Sequence, residues 1–326
     1  MTPLTSVYPS ETAAAITTIH TGRVPSEHHL LGWFQYLDSL DLTVASLPFV
    51  TPEGTPVTDR RATADPRMLF EGTAVYERAA NEGIDSTVIQ PAEVSGSEYS
   101  TLVTAGATSV GYDGLQTLPA TVRNALAQVD PPAYVFVYLP QIDAAGHEVG
   151  TQAPEFHEAV ADVIETSTVA MAELDRETAE RTMAVVTADH GLLDTTPSTK
   201  FDVSAIDGFW DALRRDDDGN PIPPSGSARN LHLHLDDGRE SDVRDMLSAV
   251  DARVFTRAAA KDRQLFGPRG YGAAFDRRCG DLVVSPLEGA LWHRERERAF
   301  VSHHGGLHPD EMMVPFAAAP GTDLQA

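Results

Sequence analysis

The chain has 326 residues, and its 24 Lys and Arg against 48 Asp and Glu give a formal net charge of −24. That length supports one large core or two modest ones, and 42% hydrophobic residues exclude wholesale disorder. The acidic excess excludes a broad surface for nucleic acid or anionic lipid, and no apolar stretch approaches the roughly 20 residues of a membrane-spanning helix.

Lys200 and Lys261 are the only lysines, and a Lys-poor, acidic surface predicts a halophilic source. Cys279 stands alone, which excludes an intrachain disulfide and a Cys-based zinc site; it reads as a small buried hydrophobe. The opening Met1-Thr-Pro-Leu-Thr-Ser-Val-Tyr has neither the basic nor the apolar region of a signal peptide, so a cytoplasmic location is expected.

In chain order, Thr12 to Ile19 reads as a short helix stopped by Gly22, with Ser10 as a cap. Asp65-Pro66 opens a second helix with Leu69, Phe70, Val75 and Tyr76 inward and Gly83 at its end. Ser86 to Gln90 reads as a strand, and Leu118, Val122, Leu126 and Val129 recur at helical spacing. The apolar runs 133–139 and 183–188 predict buried parallel strands, separated by a long helix whose face is marked by Phe156, Val160, Val163, Ile164, Met171 and Leu174. From Asp216 the texture turns charged and Pro-rich; strands at Asn230 to Leu235 and Arg253 to Phe255 flank a helix at 243–250, and 281–285 is expected to rejoin the main sheet. This βαβ logic predicts an α/β fold, a mostly parallel sheet sandwiched between helices, with a small α+β inserted subdomain. The expected segmentation is a catalytic core over 1–215, the subdomain over 216–278, and a return to the core over 279–326.

Working residues in such a sheet sit beyond the carboxyl ends of the strands. Strand 133–139 runs out into Asp143-Ala-Ala-Gly-His147, and strand 183–188 into Asp189-His190-Gly191. Carboxylate with imidazole is a zinc-type ligand set, and a helical turn puts Asp143 and His147 on one face. Each pair alone also fits an N-cap Asp beside an exposed His; two pairs at two strand ends favour ligands. His303-His304-Gly-Gly supplies a third contribution, with His304 favoured over His303 as the inward residue, and Gly305 and Gly306 allow close backbone approach. Thr12, at the first turn of its helix, sits where an anion is favoured, so a metal there could make its hydroxyl a nucleophile; its alternative role is a cap. His20, His232 and His234 are read as non-catalytic.

Tyr8-Pro-Ser-Glu-Thr-Ala-Ala-Ala-Ile-Thr-Thr-Ile-His-Thr-Gly22, Pro25-Ser-Glu-His28, Asp143-Ala-Ala-Gly-His147, Thr187-Ala-Asp-His-Gly191 and His304-Gly-Gly, in that order, resemble the type I phosphodiesterase/nucleotide pyrophosphatase family of the alkaline phosphatase superfamily. The resemblance implies an alkaline phosphatase-like fold and a two-zinc phosphohydrolase acting on a small-molecule phosphate ester through a phosphothreonine intermediate. It implies Thr12 as nucleophile and metal contact, Asp143, His147 and His304 on one Zn2+, and Asp189 and His190 on the other; other divalent metals suit the same ligands. Two departures stand out. Family members open with an apolar strand ending in a metal-ligating Asp, and residues 1–11 hold no Asp, so Met1 is expected to be an internal methionine of a truncated reading frame. Trp33 stands where the animal enzymes carry an Asn that holds a phosphoryl oxygen. The rival expectations are a phosphomonoesterase or sulfatase on the same site, or an inactive chain that binds at most one zinc.

Overall fold

The computed structural model describes residues 1–325, with Arg296 by its backbone only. Among them the chain forms an α/β fold with mixed sheets, divided into two compact units. One unit holds residues 1–4, 73–188 and 314–325; the other holds Thr5–Gly72 and Asp189–Met313.

The first unit contains a three-stranded parallel sheet. Strand Asp85–Pro91 lies between Thr108–Tyr112 and Ala133–Val137, parallel to both. Successive side chains of the central strand face opposite ways, which buries both faces. Ile89 packs with Tyr112, Leu118, Val122 and Ala170, while Val88 packs with Ala74 and Tyr76. A second three-stranded sheet places Met313–Pro320 between Thr2–Thr5 and Met183–Thr187, the last pairing being antiparallel.

Three expectations change here. The runs at 133–137 and 183–187 do form strands, but each ends its sheet and neither is deeply buried: Tyr134 is 41% exposed, and Val185 and Val186, on opposite faces, are 56% and 57% exposed. The long helix is Pro154–Ala172 and buries Val163 and Ala170, whereas Ile164 points outward. The helix expected from Pro66 breaks into a single 3₁₀ turn, Pro66–Met68, and a separate helix, Val75–Asn81. Gly72 between them adopts φ +119°, outside helical geometry.

The second unit is built on a six-stranded sheet ordered Ala252–Thr256, Leu282–Pro286, Asn230–Leu233, Ser225–Ser227, Phe34–Leu37 and Leu42–Ala45, every pairing antiparallel. Leu282–Pro286, expected to return to the parallel sheet, is instead a central strand here. Leu282 and Val284 face a cluster with Phe209, Leu213, Val243 and Leu247; Val283 faces Tyr8, Phe266, Phe275 and Cys279 on the other side. Its unbroken apolar run records burial on both faces, which a central antiparallel strand needs as much as a parallel one. Cys279 is fully buried, and that burial pushes its thiol up to about 12, so it is packing and not chemistry.

Candidate active site

Thr12 begins helix Thr12–Thr21, whose Ala13-Ala14-Ala15-Ile16 start favours helix and whose end is set by Gly22 in the left-handed region, its N–H bonded to the Thr18 carbonyl. The N-cap is Glu11, not Ser10. Ser10 instead donates its hydroxyl to the Gly306 carbonyl at 2.9 Å. His28 locks the helix from the side: its Nδ1 accepts the Leu30 N–H at 3.1 Å and its Nε2–H donates to the Ala14 carbonyl at 3.2 Å. Burial holds this imidazole neutral, pushed down to about 3.

Thr12, Asp189, His190 and His304 come together in the second unit. The Thr12 hydroxyl lies 2.9 Å from His190 Nε2, and the Asp189 carboxylate lies 3.4 Å from the same nitrogen. His190 Nδ1 donates to the Gly191 carbonyl at 2.9 Å, and His304 Nδ1 donates to the Ser10 carbonyl at 3.2 Å. A carbonyl only accepts, so both rings carry their proton on Nδ1 and present Nε2 as the basic atom. The rings stack with centroids 3.6 Å apart and planes 11° from parallel. His303 lies one residue back, in a short antiparallel bridge to Leu193, with its ring toward Phe300.

That bridge, Ser302–His303 against Leu193–Asp194, ties the segment after His190 to the segment before His304. Ser302 donates to Asp194 at 2.5 Å, and the Thr195 N–H donates to the Val301 carbonyl at 2.8 Å. Ser6 donates its hydroxyl to the Asp189 carbonyl.

Asp143 and His147 lie in the first unit on helix Gln141–Val149, one turn apart with Nε2 and Oδ2 at 3.5 Å. Tyr112 anchors the start of that helix by accepting from Gln141 at 2.9 Å and donating to the Tyr138 carbonyl at 3.1 Å. The carboxylates of Asp143 and Asp189 and the imidazoles of His147, His190 and His304, the last two held through Nδ1 by backbone carbonyls, are donors that suit a divalent cation.

Sequence reasoning missed Glu11. Its carboxylate is buried beside Thr12, accepts the Trp33 N–H, and is pushed up to about 7 by burial, against the Trp33 N–H, the Ser227 hydroxyl and His190, which lower it. The signal was present in Ser10-Glu11-Thr12, an acid at the positive end of a helix.

The architecture matches known enzyme structures at the level of fold. Murine ectonucleotide pyrophosphatase/phosphodiesterase 5 aligns with a TM-score of 0.70 at 15% identity, over 99% of this chain and 83% of that one. An inactive variant of the murine protein in complex with AMP aligns at 0.68 and 13%, over 99% and 83%. Phosphonoacetate hydrolase from Sinorhizobium meliloti 1021, in complex with phosphonoformate, aligns at 0.66 and 18%, over 97% and 80%. No curated protein sequence matches. The model of the type I phosphodiesterase / nucleotide pyrophosphatase family matches residues 1–307, and the chain belongs to that family. It is an enzyme of the phosphodiesterase/pyrophosphatase type. Among the described residues no helix is long and apolar enough to cross a membrane.

Proposed function

We propose that the chain hydrolyses phosphodiester or pyrophosphate bonds of small-molecule substrates by double displacement through Thr12. The observation that carries this reading is the hydroxyl of Thr12, on the first residue of a buried helix and 2.9 Å from His190 Nε2 with the Asp189 carboxylate beside it. Asp189 and His190 would hold one zinc ion next to Thr12; Asp143, His147 and His304 would hold the second, as the family motifs imply. When bound, two zinc ions acidify the hydroxyl and neutralise charge on the phosphoryl oxygens, which lets a chain of net charge −24 accept an anion.

The first turn of helix Thr12–Thr21 carries no side-chain cap, and the positive ends of its N–H groups favour a phosphoryl anion at Thr12. Thr12 Oγ1 gives up its proton and forms a bond to phosphorus as the bond to the leaving alcohol or phosphate breaks, and the leaving oxygen takes up a proton in exchange, so that none is gained or lost overall. Water then attacks the phosphothreonine, releasing the second product and returning the Thr12 hydroxyl. The AMP and phosphonoformate held by the similar structures support a phosphoryl or phosphonyl anion as the bound group.

Thr12→Ala is expected to lower turnover of a bis-aryl phosphate by at least about three orders of magnitude, with unchanged circular dichroism. Near-wild-type turnover would overturn the nucleophile assignment. Faster turnover of an aryl monophosphate or aryl sulfate than of the diester would move the substrate class to that ester.

A further inference from the structure

Arg229 and Glu311 form an ion pair in which neither side chain has any exposed surface. Arg229 Nε donates to Glu311 Oε2 and Nη2 to Oε1, both at 2.7 Å. Further guanidinium donors go to backbone: Nη1 to the Gly289 carbonyl, Nη2 to the carbonyls of Pro286 at 3.3 Å and Leu287 at 3.4 Å. Removing two full charges from water is unfavourable, and well-packed apolar residues often serve stability equally well. The pair therefore calls for a role beyond holding the core together.

Its surroundings supply one. Glu311 Oε2 accepts the N–H of Gly306 at 3.0 Å, and Oε1 accepts the N–H of His308 at 3.0 Å. These bonds fix the turn that follows His304. The backbone carbonyl of the same residue accepts the N–H of Gly191 at 2.9 Å, directly after His190. One residue thus grips both loops whose imidazoles stack at 3.6 Å. Both glycines are needed for that approach. A Cβ on Gly306 would lie 2.4 Å from Glu311 Oε1 and 3.1 Å from Arg229 Nη2, and a Cβ on Gly191 would lie 2.1 Å from the Asp310 carbonyl oxygen.

The geometry points to Arg229 and Glu311 as positioning residues: the buried pair holds the Glu311 carboxylate against Gly306 and so sets the spacing of His190 Nε2 and His304 Nε2 for metal binding. Neither side chain touches the reacting atoms. Without Arg229 the carboxylate has no cation to orient it; without the carboxylate, the Gly306 N–H loses the acceptor that holds it from that side, and the His304 turn keeps its bonds to Ser10 on the other. This inference rests on the proposed metal-dependent reading of the site.

The test compares zinc binding by calorimetry and metal analysis in the wild type, Glu311→Gln, and the double variant Arg229→Met/Glu311→Leu, alongside thermal melting. Val243→Ala, a core truncation away from the site, serves as a destabilised control. Glu311→Gln is expected to weaken zinc binding at least tenfold and to lower kcat with little change in KM. The double variant, with no buried charge left, is expected to melt near the wild type yet to keep the tenfold zinc defect, because Leu cannot accept the Gly306 N–H. Val243→Ala is expected to melt lower with zinc affinity within twofold of wild type. Recovery of both melting temperature and zinc affinity in the double variant would overturn the positioning role and make the pair purely structural. Zinc affinity within twofold of wild type in folded Glu311→Gln would also overturn it, leaving the metal site itself standing. A wild type that binds no zinc would overturn the metal reading and this inference with it.

Discussion

Lowering the pH from 7 to 5 should cost the folded protein about 2 kcal/mol at His232 alone, and a His232→Gln variant should be spared that loss. His232 sits in the central strand Asn230–Leu233 with 1% of its surface exposed. Its Nδ1 accepts the N–H of Gly280 at 3.3 Å, so a proton added there would face another proton. Burial first, then the nearby Arg257 guanidinium, push this imidazole from 6.5 down to about 3. The folded value lies below the unfolded one, so the unfolded chain binds more protons between them. The stabilisation is fully present above pH 6.5 and disappears as the pH falls toward 3, with a limiting slope of about 1.4 kcal/mol per pH unit. Over the interval from 6.5 to 5 that slope gives the stated figure.

Urea unfolding of both proteins at pH 7 and pH 5, followed by tryptophan fluorescence and circular dichroism, measures the drop in each. The comparison of drops cancels whatever the substitution itself does to packing. His28 and His20, pushed by burial down to about 3 and about 4, keep the variant acid-sensitive. Glu11 works with the opposite sign, since a carboxyl pushed up to about 7 gains stability as the pH falls, but it does so in both proteins and cancels. An equal drop in wild type and variant, within about 0.5 kcal/mol, would refute the reasoning.

Asp143→Asn or His147→Ala is expected to remove one zinc equivalent, and Asp189→Asn or His190→Ala the other, by metal analysis of the purified variants; loss of both ions from every variant would contradict separable sites. His304→Ala should lower metal content while His303→Ala leaves it unchanged, and the reverse result would exchange their roles. Gly306→Ala, which drives a Cβ to within 2.4 Å of Glu311 Oε1, should destabilise by about 1–3 kcal/mol in thermal melts, and an unchanged melt would show that the turn yields freely. Val186→Lys on the exposed terminal strand Met183–Thr187 should reduce self-association measured by light scattering, because an open strand edge with apolar faces invites pairing with another chain; identical masses for variant and wild type would contradict this.

Local chemistry was legible without any structure. Helix Thr12–Thr21 follows from its alanines and Gly22, the strands at 85–91, 133–137 and 183–187 follow from their apolar runs, and Asp143 with His147 on one helical face follows from their spacing. Each of these depends on neighbours within a few residues, and the ordered motifs carried family membership for the same reason.

What faces what was decided only by tertiary structure. The run at Leu282–Pro286 signals burial on both faces but carries no information on strand direction, and direction is set by the partners 230–233 and 252–256, distant in sequence. The equally apolar strand at 183–187 is exposed on both faces, because exposure depends on what the rest of the chain lays over it. The same limit hid Glu311 and Arg229. An acid in a four-residue helix and an arginine in a turn look like surface residues, and only long-range folding buries them together against Gly306 and assigns them to the His304 loop.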